Sequence, residues 1–227
     1  MSQPPSQQSS WPRAWFNPAC RLCPRLAAFL DEIRVQHPGY HAAPVGPFGA
    51  RDAPLVIVGL APGKHGANRT GRPFTGDFAG ILLYRSLHEL GLGSQPESSA
   101  ADDALVLSAC RISNAVKCVP PDNKPNGAEV RTCNRYLAAE LAEARPRAIL
   151  ALGKIAHDAT LRALSLRIAA YRFGHGAEHA LPGGTTLVDS YHCSRYNTQT
   201  RRLTTDMFRE VLARAAARAG LADDRSR

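Results

Sequence analysis

Residues 54–77 read PLVIVGLAPGKHGANRTGRPFTGD, a short apolar run that passes directly into a long polar loop. An apolar run of this length, bounded by turn residues, is typical of a strand that is buried on both faces of a parallel sheet. Glycine recurs through the loop, at positions 63, 66, 71 and 76. Because glycine lets the backbone approach a ligand closely, the stretch predicts a buried strand followed by a functional loop.

Three further apolar runs have the same character, and amphipathic helical patterns separate them. The runs lie at residues 112–117, 147–152 and 186–191, and the helical patterns at 25–35, 78–90, 128–144, 154–168 and 203–219. This alternation predicts an α/β domain, a parallel sheet with helices on both faces. Ligands of such sheets bind at the carboxyl ends of the strands, so we expect the site in the loops that begin near residues 60, 114, 153 and 192.

Composition and charge narrow the class of protein. The chain has 227 residues, of which 44% are apolar, and this suits one globular domain. We predict that domain over residues 15–220, with flexible tails at 1–14 and 221–227. No apolar run could span a bilayer and no signal peptide is evident, so we expect a cytoplasmic monomer without membrane contact. The net charge of +9 favours nucleic acid as a partner, although the arginine usage of a GC-rich genome would produce the same surplus.

Four of the six cysteines are spaced like the ligands of a metal site, namely Cys20, Cys23, Cys118 and Cys133. In a cytosolic chain, clustered thiols bind metal more often than they form disulfides. Four thiolates can hold either zinc or an iron–sulfur cluster, and the spacing alone does not separate the two. The remaining two, Cys110 and Cys193, are predicted to be buried as small apolar side chains.

The glycine-rich loop carries candidate substrate contacts but neither GxGxxG nor a Walker ending, which disfavours a nucleotide-cofactor site. Asn68 and Arg69 supply polar groups, Phe74 offers a flat ring on which a base could stack, and Asp77 brings a carboxylate just before a helix. Two other roles stay open, because Asp77 could be only a helix N-cap and Phe74 only a core residue.

The last loop begins with His192, which is placed to donate a hydrogen bond or a proton from a strand end. Four residues behind it suit contacts to phosphates and to an opened base stack: Ser194, Arg195, Tyr196 and Asn197. Asn114, at the end of the second strand, has an amide that can both donate and accept, as base recognition requires. The alternatives are a His192 bonded to a neighbouring carbonyl and an Asn114 that only forms a turn.

Three stretches carry a resemblance to a known family: residues 59–77 (GLAPGKHGANRTGRPFTGD), 112–118 (ISNAVKC) and 192–200 (HCSRYNTQT). They resemble the motifs of the iron–sulfur uracil-DNA glycosylases, in particular the family-five, UDGb type, and the resemblance extends from about residue 17 to residue 217. It implies a three-layer α/β/α sandwich with a central four-stranded parallel sheet. It also implies a structural [4Fe–4S] cluster on the four cysteines, which favours iron–sulfur over zinc.

The activity that the resemblance implies is monofunctional hydrolysis of the N-glycosidic bond of uracil in DNA. Hypoxanthine and xanthine are further expected substrates, in duplex or single-stranded DNA. Asp77 would stabilise the sugar cation or position water, His192 would stabilise the departing base, and Asn114 would read its edge. Substrate contacts are predicted at Gly63, Asn68, Arg69 and Phe74, and DNA contacts at Ser194, Arg195, Tyr196 and Asn197.

Two positions depart from related patterns. Leu60 stands where the sister family, family four, has an acidic residue, so Asp77 is the best candidate carboxylate. Cys193 replaces the proline that usually follows the motif histidine, which leaves the backbone after His192 less restricted.

Two other classes of function remain open. A non-catalytic iron–sulfur protein could recognise flipped or single-stranded bases with the same loops. A hydrolase of free nucleosides is the third possibility, but the charge of +9 argues against it because a nucleoside has no phosphates to bind.

Overall fold

A computed structural model describes residues 11–221 of the chain. The strands are β1 (Phe48–Gly49), β2 (Leu55–Gly59), β3 (Cys110–Asn114), β4 (Ala148–Leu152), β5 (Glu178–Ala180) and β6 (Thr186–Ser190). The helices are α1 (Pro24–Gln36), α2 (Ala67–Thr70), α3 (Phe78–Glu89), α4 (Gly127–Ala144), α5 (Lys154–Ala163), α6 (Arg195–Gln199) and α7 (Thr205–Arg218).

All six strands form one mixed sheet in the order β1-β3-β2-β4-β6-β5. The inner strands β3, β2, β4 and β6 are parallel, whereas β1 and β5 pair antiparallel at the two edges. The prediction of a four-stranded parallel sheet is therefore wrong in strand number, although four parallel strands form its centre. The edge strands are only two and three residues long, too short for a periodic sequence pattern.

Helices cover both faces of the sheet, as the strand–helix alternation predicts. On one face Leu55 and Ile57 of β2 pack with residues of α3 and α7. On the other face Val56 and Val58 pack with residues of α1, α4 and α5. Both sides of β2 are thus apolar and buried, which explains why its sequence is a continuous apolar run.

Several boundaries differ from the predicted ones. The second predicted strand, 112–117, begins earlier and ends at Asn114, so residues 115–117 belong to the following loop. Helices α2 and α6 are single turns inside the two predicted functional loops, where they were not expected. Of the predicted tails, residues 1–10 and 222–227 lie outside the described residues, and Trp11 stacks on Trp15 with ring centroids 5.5 Å apart. No helix among residues 11–221 is long and apolar enough to cross a membrane.

Candidate active site

The loop after β2 is held in a defined shape at the carboxyl edge of the sheet. The N–H groups of His41 and Ala42 donate to the carbonyls of Arg69 and Asn68, respectively, and both N···O distances are 3.0 Å. Arg72 is buried, forms an ion pair with Asp103 and lies over the Phe48 ring at 4.2 Å from its centroid. These contacts make the loop a fixed wall of the site.

Gly59 lies where the loops after β2 and β3 come together. It is the register partner of Asn114 in the parallel pairing of β2 with β3. A Cβ at Gly59 would lie 2.5 Å from Asn114 Oδ1 and 2.7 Å from the ring of Phe74. Phe74 has a left-handed backbone, with φ of 58°, and its ring is buried. Asn114 and Phe74 therefore meet over a residue that has no side chain to separate them.

Asp77 is both an N-cap and a half-buried carboxylate that faces the glycine-rich loop. Its Oδ1 accepts the N–H of Gly80 at 3.0 Å and so caps α3. Its Oδ2 lies next to Gly63 and Gly66, where added Cβ atoms would be 3.3 and 2.7 Å away. Burial raises the pKa of Asp77, against the backbone N–H groups of Gly80 and Ala79. The N-cap is therefore confirmed, and the catalytic role stays a prediction, which the cap does not exclude because the second oxygen faces the loop.

His192 brings the last loop to the same place. Its ring stacks against Phe74 with centroids 6.0 Å apart and planes 25° from parallel. Burial lowers the pKa of His192 to about 4, so the ring is neutral at pH 7. Cys193 is fully buried, as predicted, and burial followed by the negative charge of Asp77 raises the pKa of its thiol. That electrostatic effect indicates that the Asp77 carboxylate is near the His192 loop.

The other predicted substrate contacts are divided between the interior and the surface. Asn68 is fully buried, and its Oδ1 has no hydrogen-bond partner among the described residues. Gly63 borders Asp77, and its carbonyl accepts the N–H groups of Gly66 and Asn68. Arg69 is exposed, and its guanidinium lies next to Gly76.

The predicted DNA contacts fall on and beside the single turn α6. Ser194 caps this turn by accepting the N–H of Asn197, and Asn197 Nδ2 donates to the carbonyl of His192 at 2.8 Å. Arg195 and Tyr196 are exposed, Tyr196 to 71%. Two of the four residues therefore shape the loop beneath His192, and the other two are accessible to a large partner.

The four cysteines with metal-site spacing line one cavity, together with Lys117 and Tyr136. The backbone N–H of Lys117 donates to Cys133 Sγ at 3.2 Å. Burial, and then the negative charges of Cys133, Glu129 and Cys20, raise the pKa of Cys23 to about 11. The thiols are thus close enough to oppose each other's ionisation, as expected where a cation normally neutralises them.

Two buried charge networks were not predicted from the sequence. Arg111 of β3 pairs with Glu140 of α4, and both side chains are fully buried. Asp189 of β6 accepts from His157 Nδ1 at 2.7 Å and from His179 Nε2 at 3.2 Å. In the sequence, a charged residue inside an apolar run is the sign of each network. The partners are too far apart for helical spacing, with 29 residues between the positions of Arg111 and Glu140 and 32 between those of His157 and Asp189.

Comparison with known proteins gives a consistent result. A family model described as the uracil DNA glycosylase superfamily matches residues 47–216. The chain is 50% identical over 209 residues to a type-5 uracil-DNA glycosylase of Thermus thermophilus, covering 89% of this chain and 95% of the relative. It is 41% identical over 219 residues to one of Pyrobaculum aerophilum, covering 92% and 96%. It is 42% identical over 211 residues to one of Mycobacterium bovis, covering 89% and 79%.

Proposed function

The chain belongs to the uracil-DNA glycosylase superfamily, in its type-5 branch, and from this premise we propose that it excises uracil and hypoxanthine, and also xanthine, from DNA. The reaction is hydrolysis of the N-glycosidic bond, and the product is an abasic site. One observation carries the proposal: Asp77, Asn114, Phe74 and His192 come from three separate loops and meet at one edge of the sheet.

The neutral state of His192 suits it to stabilise the departing base. When the bond between C1′ and the base nitrogen breaks, its electron pair stays with the base and positive charge develops on the sugar. A neutral imidazole N–H can donate a hydrogen bond to the base oxygen on which negative charge builds up. Because the pKa of His192 is about 4, the ring keeps this form throughout the physiological range.

Asp77 acts on the other half of the reaction. An ionised carboxylate with few water neighbours stabilises a nearby sugar cation more strongly than an exposed one would. The same carboxylate can orient the water whose oxygen bonds to C1′, and the released proton passes to the carboxylate and then to solvent. Asn114 lies beside Phe74 at Gly59, so its amide can read the edge of a base that stacks on the ring.

The glycines around Asp77 support the wider base range. Among the described residues, and apart from the chain neighbours of Gly63, Asp77 Oδ2 is the atom within 4 Å of a Cβ placed there, at 3.3 Å. The wall next to the carboxylate is therefore backbone, without a side chain at Gly63 to narrow the site for a larger purine base. Base flipping into this space costs least when the damaged base is mispaired.

We propose in addition that Cys20, Cys23, Cys118 and Cys133 hold a structural [4Fe–4S] cluster. In tetrahedral zinc sites the Zn–S bonds of about 2.3 Å bring the sulfurs within about 4 Å of each other. Among residues 11–221, the group of possible ligands whose atoms all lie within 4.8 Å is His157, His179 and Asp189, and no three of the cysteines form such a group. The wider sulfur spacing suits a cubane better than a single zinc ion. When bound, the cluster would connect the segment before α1, which carries Cys20 and Cys23, to the loop after β3 and to α4, which carry Cys118 and Cys133.

The test is single-turnover excision from a duplex that carries one uracil, read by alkaline cleavage of the abasic product. Asp77→Asn should slow excision by about 100-fold or more while keeping the N-cap, since asparagine caps helices as well as aspartate does. Asp206→Asn, at an exposed carboxylate in the first turn of α7, is the matched control. An unchanged rate in Asp77→Asn would exclude the role given to Asp77.

The same assay separates the remaining functions. Duplexes with hypoxanthine or xanthine test the base range, and free nucleosides test the hydrolase alternative. Tight binding to uracil-containing DNA without cleavage by the wild type would support the non-catalytic alternative instead. Iron, sulfide and zinc analysis of the purified protein tests the cluster, with about four iron atoms and no zinc expected per chain.

A further inference from the structure

A buried ion network lies directly beside the cysteine cavity. Glu140 Oε1 accepts from Arg111 Nε at 2.8 Å, and Glu140 Oε2 is 3.4 Å from Lys117 Nζ. Lys117 Nζ also donates to Ser113 Oγ at 2.6 Å, and Ser113 in turn donates to Glu140 Oε2 at 2.7 Å. Glu140 and Arg111 are fully buried, and only 3% of the Lys117 side chain is exposed.

The network contains two cations and one carboxylate, so it leaves a net positive charge inside the protein. Burying an unbalanced charge is costly unless an opposite charge lies close by. The other carboxylate near the cavity, Glu129, is already paired with Arg25 through both of its oxygens. Among the described residues, Arg111 and Lys117 form ion pairs with no carboxylate besides Glu140, and the cysteine sulfurs lie in the cavity that Lys117 lines.

Lys117 connects the network to these sulfurs. It lines the cavity that contains the four cysteines, and it precedes Cys118 in the chain. Its backbone N–H donates to Cys133 Sγ at 3.2 Å. Lys117 thus contacts one of the four cysteines through its backbone and carries its buried ammonium group into the ion network next to them.

We propose that Lys117 is the residue that balances the negative charge of the iron–sulfur cluster and sets its reduction potential. This inference rests on the proposed cluster. A cubane with four thiolate ligands is an anion, and one-electron reduction makes it more negative. A buried cation beside it favours the reduced form, so it raises the reduction potential and slows loss of the cluster.

The experiment measures the reduction potential of the purified, cluster-containing protein. Lys117→Met removes the cation, keeps most of the aliphatic volume and leaves Glu140 paired with Arg111, so the network becomes neutral. Its potential should shift to more negative values, and an iron chelator should strip its cluster about tenfold faster or more. Lys117→Arg keeps the charge and should return the potential towards the wild-type value.

Arg135→Met is the matched control, because Arg135 also acts on Cys133 but is exposed and screened by solvent. A shift in Lys117→Met no larger than in Arg135→Met would overturn the proposal, and so would a shift that Lys117→Arg does not reverse. If Lys117→Met fails to fold, Lys117→Gln takes its place and is held to the same comparison. Wild-type protein without iron would overturn the cluster and this role together, whereas a bound cluster with an unmoved potential would overturn only the role of Lys117.

Discussion

Phe74 and His192 face each other across the carboxyl edge of the sheet, with ring centroids 6.0 Å apart, although 117 residues separate them in the chain. The ring of Phe74 is fixed by a left-handed backbone and by contact with Gly59. His192 is fixed through its carbonyl, which accepts the amide of Asn197. The site is therefore largely preorganised, which is what electrostatic catalysis requires.

The pH dependence of excision should report Asp77 and not His192. Burial raises the pKa of Asp77, so its ionised form is lost as the pH falls through that raised value. His192 has a pKa of about 4 and stays neutral over the same range. Single-turnover rates followed from neutral pH down to about pH 4 should show an acid limb in the wild type, and this limb should persist in His192→Gln at a lower rate. An acid limb that disappears in His192→Gln would assign the titration to the histidine.

Asp77→Asn should also make the protein more stable at neutral pH. Because the pKa of Asp77 is higher in the folded than in the unfolded chain, its ionisation disfavours folding at every pH above the unfolded value. Replacing it with a neutral cap removes that penalty. The gain in unfolding free energy, measured with urea, should be largest near pH 7 and should shrink as the pH falls towards about 4. Equal stability of the two proteins at all pH values would show that the carboxylate is better solvated than its burial indicates.

Gly59→Ala should disrupt the site far more than Gly63→Ala. The added methyl group at Gly59 meets Asn114 and Phe74 at 2.5 and 2.7 Å, so both side chains must move. We expect a loss of about 1–3 kcal/mol of stability and about a 100-fold slower excision. At Gly63 the new contact is 3.3 Å, and it involves only Asp77 Oδ2. The two variants are compared by thermal unfolding and single-turnover rate, and equal effects would contradict the close approach at Gly59.

Arg195→Gln should weaken DNA binding in a salt-dependent manner. Arg195 is exposed on α6, next to the loop of His192. If it contacts a phosphate, its removal lowers the slope of log affinity against log salt concentration by about 0.9. Arg145 lies between the carboxyl end of α4 and the amino end of β4, away from the loops of the site. Arg145→Gln is therefore the control and should leave the slope unchanged. Equal slopes for Arg195→Gln and the wild type would remove Arg195 from the DNA interface.

The pair of His157 and Asp189 should stabilise the protein less as the pH rises. Burial opposes protonation of His157, but hydrogen bonds to Asp189 and to the carbonyl of Tyr171 outweigh it and raise its pKa. The stabilisation is therefore complete below about pH 6.5 and is lost as the pH rises through the folded-state pKa. His179, which also binds Asp189, belongs to the same network. The stability difference between the wild type and His157→Gln should shrink as the pH rises, and a constant difference would contradict a charged His157.

The sequence predicts those parts of the fold that have a local physical cause. The four inner strands are apolar on both sides because helices cover both faces, and this produces continuous apolar runs. In the same way, the glycine content and the polarity of the long loops indicate at which end of the parallel strands the site lies. The buried ion pair of Arg111 and Glu140 has no such local cause, because its partners come from a strand and a helix 29 residues apart. The interior position of Asn68 was equally hidden, since a polar residue in a polar loop gives no sign that the loop folds over it.

The order of the strands has a consequence for synthesis of the protein. Gly59 and Asn114 end β2 and β3, His192 follows β6, and β6 joins the sheet through β4, which pairs with β2. A chain still emerging from the ribosome can thus form the base-reading half of the site but lacks the histidine until its last strand is made. We therefore expect a nascent or truncated chain without β6 to lack the proposed excision activity until this last strand has been made.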